Sequence, residues 1–449
     1  MQQPRLCIAA PEHFALQCNL SASYVMSKGD SSMKHPSKKQ PSNSASAASP
    51  PAAYTNAPAL GVYISVPFCK AKCSYCNFAS GVFAAGRMRA YVERVCAEVR
   101  SARNHAAAVQ AHLPSRVDSV YFGGGTPSLL APQQLRQLFT TLRAEFELAP
   151  DAEITMECAP GQIADDVLAE FCALGVNRVS FGVQSFVDAE SRAVGRLHTG
   201  EQCLAEVERI RNAGIDEINV DLIAGLPHQT AASWQQSLEQ AVASDVPHVS
   251  VYMLEVDEDS RLGSELLAGG VRYHAHHVPD EDLVADLYLA ACQFLAEAGV
   301  AQYEISNFAR PGHAARHNLK YWQRAPYLGL GMDAHSMLST GQTAAVRFAN
   351  VDELDTYMAA AEPMAAQVID TDAALEEALF LGLRMNAGVN LDLLRSGFGT
   401  DKVERCLHAM RELAADGLLQ LDDADVKLTP RGRLLSNEVF GRLLEVVPA

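Results

Sequence analysis

The sequence predicts an α/β fold: a partial parallel (β/α)6 barrel followed by a small, mainly helical C-terminal domain. Three observations predict it. From Gly61 onward, short apolar, β-branched runs alternate with amphipathic helical stretches, at the roughly 30-residue spacing of βαβ units. Right-handed crossovers curl such a sheet one way, and six units make an open or partial barrel. Glycine-rich or polar chemistry follows five of the six runs, at the strand ends where barrels of this kind carry function.

Taken in order, the strand-like runs are GVYISVP (61–67), VDSVYFGG (117–124), EITMECAP (153–160), NRVSFGVQS (177–185), EINVDLIAG (217–225) and HVSVYMLE (248–255). Between them lie helix-like stretches such as PQQLRQLFTTLRAEF, ADDVLAEFCALG, EQCLAEVERIRNAG and TAASWQQSLEQAVAS. The expected organisation is a tail over 1–58, a core barrel over 59–300, an extension over 301–369 and a helical domain over 370–449. DAALEEALFLGLRM and DKVERCLHAMRELAADGLLQ mark that last domain, which reads as a winged-helix-like lid or docking unit. The tail is rich in Ser, Ala, Pro, Asn and Lys. Such a segment buries too little apolar area to offset its ordering entropy, and it reads as disordered. An organelle transit peptide is the alternative, but the Arg-rich amphipathic pattern is missing.

Hydrophobic residues make up 48% of the 449, as in a globular protein. No apolar run approaches the roughly 20 residues that span a bilayer, so an integral membrane protein is not expected. A net charge of −17 argues against nonspecific nucleic-acid binding. Eleven cysteines, mostly scattered singly, read as buried thiols of a reducing, cytoplasmic location rather than a disulfide framework.

The first run is followed at once by PFCKAKCSYCNF, which places Cys69, Cys73 and Cys76 at C-x3-C-x2-C spacing. Three thiolates on one short loop can hold three corners of a [4Fe–4S] cluster and leave the fourth iron open. That iron can take the amino and carboxylate groups of S-adenosylmethionine, whose reductive cleavage gives a 5′-deoxyadenosyl radical. Zinc is the alternative, but structural zinc usually takes four ligands in two C-x2-C-type pairs. The nearest further donors, Cys96 and His105, lie in a helical stretch.

The glycine loop GGGTP, with Gly124, Gly125 and Thr126, follows the second run, and glycine lets backbone approach a ligand closely. Glu157 stands in an otherwise apolar run, where a carboxylate is costly unless paired with a ligand or an internal cation.

With VYISVPFC, YFGGGTPSLL, NRVSFGVQSF, INVDLIAGLPHQT and EISNFARPGHAARHNLKYW, residues 61 to about 340 resemble the radical-SAM proteins of the anaerobic coproporphyrinogen oxidase group. The resemblance implies that Gly124, Gly125 and Thr126 hold the methionine amino group. It also implies that Glu157, Gln184, Arg196 and Asp221 line the SAM site. Asp221 would then lie at the ribose. The planar fork of Arg196 suits the methionine carboxylate. Tyr63 and Tyr75 would flank cluster and ligand, or else serve as core aromatics.

Within that group the chain resembles the HemW-type heme chaperones more than the oxidases. The oxidases carry a further cysteine two residues after the triplet, where this sequence has Phe78. They also begin with a structured substrate-gripping region, in contrast to the tail here. RHNLKYW (316–322) resembles the HN-x-x-YW motif of the chaperone branch, which implies heme contact by His317, Tyr321 and Trp322. The alternative is a histidine that hydrogen-bonds a core carbonyl beside an aromatic packing pair. His313 is a further candidate. The run His274, His276, His277 reads as solvated surface. The expected cofactors are a [4Fe–4S] cluster, S-adenosylmethionine and heme. The expected partners are a heme-acceptor protein of unknown identity and, if SAM is cleaved, an electron donor. The alternative function is oxygen-independent conversion of coproporphyrinogen III to protoporphyrinogen IX.

Overall fold

The computed structural model describes residues 58–84, 86–258, 260–360 and 366–444. The tail expected over 1–58 lies almost wholly outside them. The chain runs β1 (Leu60–Val66), α1 (Arg87–Ala108), β2 (Arg116–Gly124), α2 (Pro132–Glu145), β3 (Glu147–Cys158), α3 (Asp165–Leu174), β4 (Arg178–Gln184), α4 (Asp188–Ala193), α5 (Gly200–Asn212), β5 (Glu217–Ala224), α6 (Ala231–Ala243), β6 (His248–Met253). There follow α7 (Arg261–Ala268), α8 (Glu281–Glu297), β7 (Ala301–Gln302), β8 (Asn307–Ala309), α9 (Arg316–Trp322), β9 (Tyr327–Leu330), β10 (His335–Ser339), β11 (Ala345–Ala349), α10 (Leu354–Ala359) and β12 (Gln367–Ile369). The C-terminal part holds α11 (Thr371–Arg384), β13 (Val389–Asn390), α12 (Leu391–Phe398), α13 (Thr400–Ala415), β14 (Leu419–Leu421), β15 (Asp425–Leu428), α14 (Pro430–Leu434) and α15 (Ser436–Leu444).

One sheet carries strands β1 to β12 in the order β12-β11-β10-β9-β1-β2-β3-β4-β5-β6-β8-β7. The six expected strands lie side by side in sequence order and pair in parallel. This is the arrangement of a barrel wound in one direction. β9 adds a parallel partner to β1, while β8 and β10 pair antiparallel with β6 and β9. Among the described residues β6 does not pair with β1, so the barrel stays open.

The strands sit where they do because their apolar positions are covered on both faces. β1 buries Leu60, Val62, Ile64 and Val66, and β4 buries Val179, Phe181 and Val183. α1 contributes Tyr91, Val92, Val95 and Val99 to the same core, and α6 contributes Trp234 and Leu238. Helix starts are chemically marked. Thr199 accepts from the Gln202 N–H at 3.2 Å, and the Gln202 side chain accepts in return from the Thr199 N–H at 3.0 Å. Asp280 caps α8 through the Leu283 N–H at 2.9 Å.

The C-terminal part builds its own core around Leu379, Leu383, Met410, Leu413 and Phe440, with a small sheet ordered β13-β15-β14. The described cysteines are free thiols. Cys96, Cys158, Cys203 and Cys406 are buried as expected, but Cys172 is exposed and Cys292 only half-buried. Cys172 is near the C-terminal end of α3, where its thiol donates to the Ala213 carbonyl at 3.4 Å.

Candidate functional site

At the end of β1 the chain leaves the sheet but stays tied to it. The Cys69 N–H donates to the Gly81 carbonyl at 2.9 Å, and the Gly81 N–H donates to the Pro67 carbonyl at 2.9 Å. These two bonds close the base of a loop holding Cys69, Cys73 and Cys76. Inside it, the Lys72 ammonium caps the Phe78 carbonyl at 2.9 Å, and the Cys76 N–H donates to the Cys73 carbonyl at 3.2 Å. The Ser74 N–H reaches across to the Val194 carbonyl at 3.1 Å, which fixes the loop against the segment after α4. All three cysteines face one cavity at the C-terminal end of the parallel strands.

The opposite walls come from the ends of β2 to β6. Gly124, Gly125 and Thr126 line the cavity, and so do Tyr75, Glu157, Gln184, Arg196 and Asp221. Gly124 has φ of 100°, which favours glycine. At Gly125 the constraint is space: a Cβ there would lie 2.7 Å from the Phe68 carbonyl oxygen and 2.8 Å from that of Val66. Those carbonyls accept the Thr126 and Gly125 N–H groups at 2.8 and 2.9 Å, so the glycine loop and the cysteine loop are locked together.

Three carboxylates line this space, those of Glu157, Asp221 and Glu255. Glu157 accepts from the Tyr121 hydroxyl at 2.7 Å and from the Gly124 N–H at 3.1 Å. Burial still pushes its pKa up to about 7, with the Asp221 charge adding to the rise. Asp221 accepts from Asn219 at 2.7 Å and Ser180 at 3.3 Å, and burial raises its pKa too. On the cysteine side, Arg196 lies 3.4 Å from the Cys73 sulfur and donates to the Gly182 carbonyl. Gln184 has φ of 69°, and its buried carbonyl oxygen has no hydrogen-bond partner among the described residues. Burial raises the pKa of Cys69 and pushes that of Cys76 up to about 11, with the neighbouring Cys73 adding to both.

These observations test the fit of a cluster and of S-adenosylmethionine. Three convergent thiols with a guanidinium beside the most buried one suit an anionic thiolate-bound cluster. Two buried carboxylates, Glu157 and Asp221, suit a ligand carrying a sulfonium and an ammonium, whose positive charge favours their ionised forms. The unsatisfied Gln184 oxygen and the glycine cradle suit a ligand that approaches backbone closely. Cys69, Cys73 and Cys76 could hold the cluster. Gly124, Gly125, Thr126, Glu157, Gln184 and Asp221 could hold the ligand.

Other expected residues sit elsewhere. Tyr63 is not in the cavity lining; its ring stacks 6.0 Å from that of Tyr121, behind the wall. Arg196 does line the cavity, with its guanidinium turned to Cys73 and the Gly182 carbonyl. His317 is 1% exposed, and both ring nitrogens are engaged: Nδ1 with the Ser119 hydroxyl at 3.0 Å and Nε2 with the Tyr321 hydroxyl at 2.8 Å. Burial pushes its pKa down to about 3, so the ring is neutral. Tyr321 and Trp322 pack with Tyr327, Met337, Ile369 and Leu381 at the junction with the C-terminal part. Of that helix and its approach, Ala315 and Asn318 reach the cavity. His313 pairs with Glu217 at 2.7 Å, outside the cavity lining.

Sequence reasoning missed Tyr121, Ser180, Asn219 and Ser250, which line the same cavity. Their signal was period two: Ser180 sits beside Asn219 and Ser250 beside Asp221 in the strand register, so polar residues stand at alternate, inward positions of apolar strands.

Comparison with known proteins adds the family. Residues 63–241 match the profile of the Radical SAM superfamily, and residues 369–435 match the HemN C-terminal domain. The chain is 32% identical over 385 residues to "Heme chaperone HemW" of Lactococcus lactis subsp. lactis (strain IL1403), covering 85% of this chain and 96% of that protein. It is 35% identical over 350 residues to "Heme chaperone HemW" of Synechocystis sp. (strain ATCC 27184 / PCC 6803 / Kazusa), covering 76% and 82%. It is also 32% identical over 416 residues to "Radical S-adenosyl methionine domain-containing protein 1, mitochondrial" of Mus musculus, covering 88% and 89%. Among solved structures, the coproporphyrinogen III oxidase HemN of Escherichia coli, a radical SAM enzyme, superposes with a TM-score of 0.74. That match has 24% identity and covers 86% of this chain and 90% of the other, so it speaks to the fold. No helix among the described residues is long and apolar enough to cross a membrane.

Proposed function

Since the chain belongs to the HemW-type heme chaperone family of radical SAM proteins, we propose that it binds heme and passes it to an acceptor protein. On this reading it carries a [4Fe–4S] cluster on Cys69, Cys73 and Cys76, with an exchangeable S-adenosylmethionine at the open iron. The working location is the cytoplasm. The observation that carries the reading is the single wall of three thiols that shares one cavity with the carboxylates of Glu157 and Asp221. Phe78, which also lines that cavity, favours the chaperone over the oxidase, because it stands where the related oxidases place a fourth cysteine.

When bound, the cluster and its ligand supply one-electron cleavage of a sulfonium, which would call on an electron donor. The chain's own groups bind and orient. Arg196 offsets negative charge at Cys73. Glu157 and Asp221 attract the cationic ligand, and Tyr121 with the Gly124 N–H fixes the Glu157 carboxylate. Heme contact is assigned to His317, Tyr321 and Trp322. Ligation through the His317 Nε2 requires the Tyr321 hydroxyl to let go of it first.

The test is anaerobic preparation of wild type beside Cys73→Ala, with iron and heme quantified. Wild type should hold four irons per chain and about one added heme, and should make no protoporphyrinogen from coproporphyrinogen. Cys73→Ala should lose the cluster spectrum and keep heme. A normal cluster spectrum in the variant would overturn the ligand assignment. Turnover of coproporphyrinogen with SAM cleavage would overturn the chaperone reading.

A further inference from the structure

Past the end of β5, the turn Gly225–Leu226–Pro227 presents His228, which meets the histidines of the segment after α7. The His228 Nε2 lies 3.3 Å from the His274 Nδ1. One nitrogen from each of His228, His274 and His277 falls within 4.8 Å of the other two. The rings of His228 and His277 are 3.9 Å apart. None of the three lines the cavity of the cysteines.

Backbone holds the group in place. The His228 N–H donates to the His277 carbonyl at 2.9 Å, and the His277 N–H donates to the His274 carbonyl at 2.9 Å. Glu265 accepts from the Tyr273 N–H at 2.8 Å and the Ala275 N–H at 3.1 Å, clamping the loop from α7. His228 and His274 both have left-handed backbone, with φ of 69° and 61°. Such conformations cost free energy in non-glycine residues and gather at functional sites.

We propose that His228, His274 and His277 form a site for a divalent transition-metal ion of the zinc type, with a fourth position open to water. Two imidazole nitrogens on a tetrahedral zinc, each about 2.0–2.1 Å from it, stand about 3.3 Å apart; the His228–His274 pair already has that spacing. A shared proton would explain two imidazoles but not the convergence of a third. Glu190, which Gln229 contacts, is 1% exposed, and one of its carboxylate oxygens has no hydrogen-bond partner among the described residues. The carboxylate is otherwise held by Ser185 at 2.7 Å and Gln229 at 3.2 Å, the residue next to His228.

The test uses the full chain in two forms, so that uptake by the cysteines is separated from uptake by the histidines. One is anaerobically reconstituted, cluster-loaded protein. The other carries Cys69→Ala, Cys73→Ala and Cys76→Ala together. Each is titrated with Zn2+ by calorimetry and by competition with a chromophoric chelator, and Co2+ reports coordination in the visible spectrum. Both forms should bind one equivalent of Zn2+. His274→Ala and His277→Ala should each lose it while keeping iron content and cluster absorption, and His276→Ala should keep it. No stoichiometric uptake by either form, or retention by both histidine variants, overturns the proposal. Loss of heme rather than Zn2+ in His274→Ala also overturns it, because the imidazoles then serve porphyrin iron.

Discussion

Glu157 accepts two hydrogen bonds and is still held near pKa 7 by burial and by Asp221, so its ionisation is a pH-dependent load on the cofactor-free protein. An ordinary glutamate has a pKa of about 4.3 in the unfolded chain. Between that value and about 7 the folded state binds more protons than the unfolded one, and stability falls as pH rises through the window. Glu157→Gln removes that slope. In urea denaturation of cluster-free protein, the variant should gain roughly 1–3 kcal/mol on wild type between pH 5 and pH 8. A pH-independent difference would mean that the carboxylate is ordinary. The sign reverses for ligand binding: a cationic ligand favours ionised Glu157. SAM affinity of the cluster-loaded protein should therefore fall below pH 7, by up to about tenfold per unit, and Glu157→Gln should flatten that dependence in calorimetry. At His317 the relevant bond is the one to Tyr321. If heme iron takes the Nε2, Tyr321→Phe frees that nitrogen of a bond worth about 1 kcal/mol, and heme should bind about fivefold tighter in a Soret titration. Unchanged or weaker binding would leave the imidazole a core residue.

The loop after β1 and the turn after β2 act as one piece, since each supplies the carbonyl or N–H that the other needs. Gly125→Ala puts a methyl against two backbone oxygens at 2.7 and 2.8 Å, and neither can swing aside as a side chain would. The cysteine loop must shift, at a cost of about 1–3 kcal/mol. Thermal melting should register that loss, and iron content after reconstitution should drop with it. A fully loaded variant of wild-type stability would show that the two loops are not coupled. This locality explains what could be read in advance. The cysteine triplet, the glycine loop and the six strands are short-range patterns set by spacing and period. What escaped depends on distant pairing. Tyr121 becomes a partner of Glu157 because β2 and β3 align in register, and His228 meets His274 across a loop that carries no periodic signal. β9 to β12 are strands of three to five residues, too short for alternation to announce them. The motif around His317 was visible, and an inward, hydrogen-bonded ring was one of its two readings, but its partners, the hydroxyls of Ser119 and Tyr321 rather than a carbonyl, were not.

At the scale of the molecule, the barrel and the C-terminal part meet through charges removed from water. Glu377 of α11 accepts from Arg324 and Arg347 at 2.9 Å each. Arg384, at the end of the same helix, is 2% exposed and lies 3.7 Å from Glu304, which is fully buried. Its guanidinium also stands 4.5 Å over the ring of Trp322. Next to it, Met385 bridges to Glu304 and the Asn386 side chain donates to the Gln302 carbonyl at 2.7 Å. Burial raises the Glu304 pKa, and Arg384 opposes that rise. The attraction of such a pair barely repays its desolvation, whereas losing one member strands the other. Arg384→Leu should therefore cost about 3–5 kcal/mol in chemical denaturation. Most of that cost is the uncompensated carboxylate rather than the missing contact, so Glu304→Gln in the same chain should recover more than half of it. If the double variant is as unstable as the single one, the loss lies in the packing of Arg384 against Trp322. The helix holding His317 would then be braced by stacking and not by charge, because Trp322 ends that helix.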